Sequence, residues 1–270
     1  MKYILSILLV VFCCSTLAKH AKHIQSRVEP SVLVLNLNTN QVAYSSNADQ
    51  VRAIASITKL MTAMITLDYD KNLDRKLMLD TRVASHLPKQ FYSRRELLTA
   101  MLVQSDNAAA ETIANDYPGG RNEFIWQMNQ RAKQWEMFDT AYRDPSGLDN
   151  GNISTTHDLA SLLEAAMGYW VIEEASKTKQ VAFETKYKNR IRTINLAHTS
   201  GALLFAFDRV IISKTGLTNA AGWCASMIVE QNHQQYAVIV LGSRNKQDRL
   251  NTVKNIMYNR VLDTDLEKRK

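Results

Sequence analysis

Ser56 and Lys59, in the run Ser56-Ile57-Thr58-Lys59, have residue types and a spacing that could support covalent chemistry. On a helix, side chains three apart share a face, which sets the lysine amine beside the serine hydroxyl. A serine hydroxyl is a weak nucleophile until a base within hydrogen-bond reach takes its proton. Lysine can be that base when burial or a second cation leaves its amine neutral. A serine at a helix start also has free backbone N–H groups nearby, which suit a developing oxyanion. Ser-x-x-Lys arises by chance about once in a chain of this length. Indeed Ser176-Lys177-Thr178-Lys179 is a second match. It lies in a polar, lysine-rich stretch and reads as solvated surface.

Two further elements follow Ser56 in order. Ser105-Asp106-Asn107 falls between two predicted helices, in a turn that would expose its side chains to a cleft. Lys214-Thr215-Gly216 ends a predicted strand, Arg209–Ser213, and precedes Gly222-Trp223. Taken singly, Ser105 reads as a helix cap and Lys214 as a strand-end turn. The ordered set of three is far more specific than any member.

These residues need elements to hold them. Ser31–Leu37 and Val42–Ser45 read as a hairpin across the turn cluster Asn38–Gln41. Apolar residues at Ile57, Leu60, Met61, Met64, Ile65 and Leu67 follow a helical period. Further helices are predicted at Arg94–Val103, Asn107–Asp116, Arg121–Trp135 and Thr156–Met167. Thr155 and Asp158 are placed much like a capping box at the start of the last. Arg209–Ser213, Gly222–Glu230 and Tyr236–Gly242 read as strands, and Asp248–Leu262 as a closing helix. Strands near both ends flank a helical middle, about residues 68–205, and terminal strands of this kind meet in one sheet. The prediction is an α+β fold: an antiparallel sheet with flanking helices, an inserted helical lobe, and a cleft between the two.

Composition narrows the class. The chain has 270 residues, of which 46% are hydrophobic, with nine glycines, four prolines and a net charge of +7. That excludes collagen-like, low-complexity and disulfide-scaffold proteins. Met1-Lys2-Tyr3, the apolar run Ile4–Cys14 and the small residues before Ala18 form the three-part pattern of a secretory signal peptide. The apolar run spans about half of a membrane's hydrocarbon core, too little for an anchor. Residues 1–18 are therefore expected to be cleaved, 19–29 to form a flexible mature N-terminus, 30–263 the catalytic domain, and 264–270 a basic tail. Cleavage removes Cys13 and Cys14 and leaves Cys224 as a buried packing thiol with no disulfide partner.

At this point the sequence resembles a known family. Ala55-Ser56-Ile57-Thr58-Lys59-Leu60-Met61-Thr62-Ala63 looks like the active-site helix of the low-molecular-mass penicillin-binding proteins, the D-alanyl-D-alanine peptidases. Asp144-Pro145-Ser146-Gly147-Leu148, Ser154–Ala160 and Lys214–Gly222 are similar to that family too. The ordered motif set is the one shared by penicillin-binding proteins and serine β-lactamases. Leu37–Asn40 and Tyr117-Pro118-Gly119-Gly120 point to the endopeptidase branch. The resemblance implies a penicillin-binding/β-lactamase-like transpeptidase fold and an acyl-enzyme on Ser56, with Lys59 as base and Ser105 relaying a proton beside Lys214. It also implies Asn107 on the substrate backbone, Thr215 at its carboxylate end, and an oxyanion hole from the N–H groups of Ser56 and Leu217. Gly216 would let the strand approach the substrate closely. Arg249 resembles a carboxylate-binding arginine of related carboxypeptidases. Arg244 competes for that role, and a solvated surface charge is the alternative for both. The implied partners are peptidoglycan stem peptides and cross-links, with β-lactams as covalent inhibitors, in the periplasm.

Rival classes fare worse on the same residues. Class A β-lactamases deacylate through a Glu-x-x-Leu-Asn segment, and no glutamate between the second and third motifs begins one. Glu111-Thr112-Ile113-Ala114-Asn115 comes nearest but starts on the helix of Asn107. D-alanyl-D-alanine carboxypeptidase activity on the same scaffold is the closer alternative. Many such carboxypeptidases add a β-rich domain and a membrane helix, whereas this chain closes on Glu267-Lys268-Arg269-Lys270, so no stable membrane anchor is expected after cleavage. Six scattered histidines without His-Glu-x-x-His imply no metal, and no cofactor is expected. Net charge alone, without a basic stripe interleaved with aromatics, does not indicate nucleic-acid binding.

Overall fold

The structure is a computed structural model, described here over residues 29–187 and 190–262. The expected signal peptide (1–18), all but the last residue of the N-terminal segment 19–29, and the basic tail 264–270 lie outside the described residues. In chain order the elements are β1 (Ser31–Asn36), β2 (Gln41–Ser46), β3 (Arg52–Ala53), a 3-10 turn (Ala55–Thr58) and α1 (Lys59–Tyr69). The lobe follows with β4 (Lys76–Met78), β5 (Phe91–Ser93), α2 (Arg94–Thr99), a π turn (Ala100–Gln104), α3 (Asn107–Asn115) and α4 (Gly120–Gln134). After it come β6 (Ile153–Ser154), α5 (Thr156–Ala166), α6 (Trp170–Lys177), β7 (Gln180–Tyr187) and β8 (Arg190–Ala197). The chain then forms β9 (Arg209–Thr218), β10 (Gly222–Gln231), β11 (Gln234–Ser243) and α7 (Lys246–Ile256).

The terminal strands meet in one antiparallel sheet of order β2-β1-β11-β10-β9, with Ser31 opposite Leu241 and Lys214 opposite Ser226. Alternation along the strands serves two cores, because successive side chains point to opposite faces. Ala237, Ile239 and Leu241 join the core shared with α1 and the lobe, whereas Tyr236, Val238 and Val240 pack with Val253 and Met257 of the C-terminal segment. From Lys59 to Thr66 every residue of α1 is buried, which makes it the axial helix of the lobe-side core. The Thr155 hydroxyl accepts from the Asp158 N–H and caps α5, at the expected position.

Four local expectations need correction. Lys214-Thr215-Gly216 does not end a strand; it lies within β9, its residues opposite Ser226, Ala225 and Cys224. Pairing with β10 overrides the turn-like composition of this stretch. Lobe residues 68–205 are not wholly helical: β7 pairs with β8 from Gln180–Ala197 to Tyr187–Arg190, and β4 pairs with β5. Ser176 is not solvated: it is 2% exposed on α6, its Oγ accepting from Ser213 N at 2.9 Å, so this second Ser-x-x-Lys braces β9 from behind. The closing helix ends at Ile256 and continues as a π turn to Leu262.

Candidate active site

Ser56 sits in the 3-10 turn before α1, not within the α-helix, and the turn still delivers the Ser-x-x-Lys contact: Lys59 Nζ lies 2.9 Å from Ser56 Oγ. Two glycine-containing segments fix this turn. Gly147 adopts φ +81°, and a Cβ there would stand 1.9 Å from Ala55 O; on the other side a Cβ at Gly216 would meet Ile54 O at 2.7 Å. Only glycine lets both backbones come this close. Between them Ala55 is held at φ +47°, a left-handed conformation unfavourable for a residue with a Cβ.

Lys59 is fully buried with three oxygen partners: Ser56 Oγ, Asn107 Oδ1 at 2.8 Å and Ser146 O at 2.5 Å. Burial pushes its amine down to about 7, against the opposing fields of Asp144, Asp106 and Glu111. The partners divide by chemistry: a carbonyl and an amide oxygen can only accept, whereas a hydroxyl can also donate. A neutral amine, with two N–H groups and one lone pair, satisfies that set by giving its hydrogens to Ser146 and Asn107 and its lone pair to Ser56.

Ser105 stands at the junction of the π turn and α3, at φ 63°. The next residue, Asp106, caps α3 through Ala109 N at 2.9 Å and accepts from Ser85 Oγ and His86 N, which pins the junction. Lys214 Nζ donates to Ser105 Oγ and Thr215 O, both at 3.0 Å. Lys214 is pushed well below its ordinary value by burial, then by the charges of Lys59 and Arg249. Thr215 Oγ1 donates to Thr199 Oγ1 at 2.9 Å.

Arg249 is 2% exposed and is not a surface charge. Its guanidinium lies 5.5 Å from the Trp223 ring centroid, Nη1 donates to Cys224 O at 3.1 Å, and Nε is buried without a hydrogen-bond partner among the described residues. Arg244, by contrast, is exposed and paired with Asp248 at 2.6 Å. Cys224 is buried as expected, and burial pushes its thiol up to about 11.

A cleft of about 490 Å³ gathers Ser56, Ser105, Asn107, Thr215, Gly216, Leu217 and Arg249 along one wall or another. Lys59 and Lys214 lie beneath it, each bonded to a serine that lines it. All nine residues singled out in the sequence are thus brought to one place. The supporting turn at 144–152 carried no assigned role. Asp144 Oδ1 accepts from Ser146 N at 2.8 Å and Gly147 N at 2.5 Å, while Asn152 accepts from Arg143 N and Asp144 N and donates to Thr58 Oγ1. Thr62 Oγ1 reaches Pro145 O at 2.6 Å. The Asp-Pro-Ser-Gly sequence was its available signal, a turn composition with an acceptor side chain at its head. His198, in the cleft wall, was also missed; Nδ1 accepts from Ser200 N at 3.0 Å, and burial, then Lys214, pushes its imidazole down to about 4.

Comparison with known proteins bears on the family and the fold. Residues 16–245 match the family described as D-alanyl-D-alanine carboxypeptidase, peptidase family S11. A D-alanyl-D-alanine endopeptidase of Escherichia coli is 36% identical over 224 residues, covering 80% of this chain and 72% of the relative. The crystal structure of the Streptomyces K15 DD-transpeptidase superposes with a TM-score of 0.79 at 26% identity, covering 86% of this chain and 96% of that one. Penicillin-binding protein D2 of Listeria monocytogenes, in a cefotaxime-bound form, gives 0.71 at 28% identity over 84% and 94% of the two chains. With the motif order, the fold and the sequence match in agreement, the chain belongs to the D-alanyl-D-alanine carboxypeptidase family of serine peptidases.

Proposed function

We propose that this enzyme is a D-alanyl-D-alanine endopeptidase that opens peptide cross-links of peptidoglycan in the periplasm, with Ser56 as its nucleophile. The observation that carries the chemistry is the buried Lys59 amine, 2.9 Å from Ser56 Oγ and facing two groups that can only accept. Ser56 Oγ bonds to the carbonyl carbon of the scissile amide as its proton passes to Lys59 Nζ. The carbonyl electron pair moves onto oxygen, toward the N–H groups of Ser56 and Leu217, a contribution of about 3 kcal/mol per donor. Collapse breaks the C–N bond as the proton held on Lys59 passes by way of the Ser105 hydroxyl to the leaving amine, with Lys214 as electrostatic partner, which leaves Lys59 neutral again. Water then adds to the ester carbonyl as Lys59 takes one of its protons; the bond from carbon to Ser56 Oγ breaks, that proton passes to Ser56 Oγ, and the free acid leaves. Asn107 aligns the substrate backbone, the β9 edge at Gly216 lies alongside it, and Thr215 with Arg249 receives the carboxylate next to the leaving amine. β-Lactams would acylate the same oxygen and hold the site.

The endopeptidase preference is supported by the Escherichia coli relative, an endopeptidase at 36% identity. Labelling with a fluorescent penicillin tests the nucleophile: wild type should label, and Ser56→Ala should not. Purified cross-linked dimer muropeptides test the bond cut. Release of monomers supports the proposal, whereas release of free D-alanine alone, from pentapeptide stems, would make the enzyme a carboxypeptidase.

A further inference from the structure

At the end of α1 remote from Ser56 lies a second concavity of about 660 Å³, lined by Leu67, Asp68, Lys71, Leu73, Tyr169 and Trp170 among others. Asp68 follows Lys59 by nine residues on α1, about 14 Å along the helix axis. Trp170 is 58% exposed, and the Arg95 guanidinium sits 5.5 Å from its ring centroid, which fixes the indole plane. Asp68 is oriented from two sides. Its Oδ1 accepts from Tyr169 OH at 2.8 Å and its Oδ2 from Arg131. A carboxylate has about four acceptor sites, so this one keeps lone pairs for a ligand while its direction is fixed. Val171 and Leu73, both buried, give the concavity an apolar floor.

We infer that this concavity is a saccharide subsite that takes an N-acetylated pyranose of a glycan strand. A pyranose presents a face of C–H groups and a rim of hydroxyls. An indole plane suits the first, and an oriented carboxylate with the nearby Lys71 amine suits the second. The acetamido methyl fits the apolar floor at Leu73 and Val171. An apolar protein segment would bury Asp68 and Lys71 without new partners, which is costly. Orienting the polar groups before binding lowers the ordering cost of the complex. The saccharide chemistry stands by itself; only the choice of peptidoglycan as the polymer rests on the proposed function. A second hold on that polymer raises the local concentration of cross-links at the cleft without any new contact there.

The test uses the full chain and two probes: a peptide-free tetramer of N-acetylglucosamine and a free stem peptide, each titrated by calorimetry and tryptophan fluorescence. The tetramer should bind saturably to wild type, about tenfold more weakly to Trp170→Ala, and within about threefold of wild type to Trp170→Phe. Fluorescent-penicillin labelling of Ser56 should stay within about twofold in all three, which shows the fold intact and separates this outcome from any failure of the endopeptidase proposal. Pelleting with intact sacculi should fall in Trp170→Ala alone. Absence of saturable tetramer binding, equal affinity in Trp170→Ala, or a stem peptide that binds in place of the tetramer and is lost with Trp170 would each overturn the inference.

Discussion

Of the three oxygens around the Lys59 amine, only the Ser56 hydroxyl can give it a proton. With the amine pushed down to about 7, the acylation rate should climb as pH rises through 7 and level off above it, because the neutral form is the reactive one. Stopped-flow acylation by a chromogenic cephalosporin from pH 5.5 to 9 checks the position of that limb. Lys59→Arg should lose about 10³-fold in the same assay at every pH, since a guanidinium keeps its proton. His198 gives a stability prediction. Its imidazole is held near 4 when folded, against the usual 6.5, so between those values the unfolded chain binds the proton and the folded chain does not. Stability is therefore lost as pH falls from 6.5 toward 4, by about 2 kcal/mol at pH 5. Urea midpoints at pH 7 and pH 5 should lie closer together in His198→Gln than in wild type.

The turn that carries Ser56 is short, and its shape is imposed by neighbours rather than by its own sequence. Ala55 at φ +47° has no local reason to adopt that conformation; Gly147 on one side and Gly216 on the other leave it no alternative. Gly147→Ala should displace Ala55 O, cost about 3 kcal/mol or more, and abolish penicillin acylation. Gly120→Ala is the control: its φ is +76° but nothing lies within 4 Å of the added carbon, so the cost should be about 1 kcal/mol with acylation intact. Thermal melts and labelling on the two variants decide this. The same contrast explains what the sequence could reveal. Helical periods at α1, α3, α4 and α5, and the short, largely apolar runs of β10 and β11, are local signals and were readable within about two residues. Ser56, Lys59, Ser105, Asn107 and Lys214 were readable because motif order survives without geometry. The extension of β9 through Lys214-Thr215-Gly216, the burial of Ser176 and the burial of Arg249 depend on what each residue packs against. Arg249 could not be told from Arg244 until Trp223 and Cys224 stood beside it.

Across the molecule, the lobe is tied to the end of α1 by Arg94, 1% exposed, whose guanidinium pairs with Asp70 at 2.6 Å and Asp116 at 2.8 Å and donates to Asn72 O at 2.9 Å. Arg94→Leu removes both ion pairs at once and should lower the urea midpoint, a loss limited because Asp116 keeps its pair with Arg75 at 2.6 Å and Asp70 is partly solvated. Penicillin labelling at low temperature should survive, because Arg94 touches none of the cleft residues. The order of the sheet has a consequence in time. β1 and β10 both pair with β11, and Ser31 meets Leu241 more than 200 positions away. Loop closure on that scale makes the sheet slow to form and dependent on the last strand. A growing chain that has not yet reached Gln234 already carries all three motifs but lacks the strand that joins β1 to β10. The Ser56 and Lys214 sides of the cleft are therefore expected to come together, and activity to appear, only after residues 234–243 have been made.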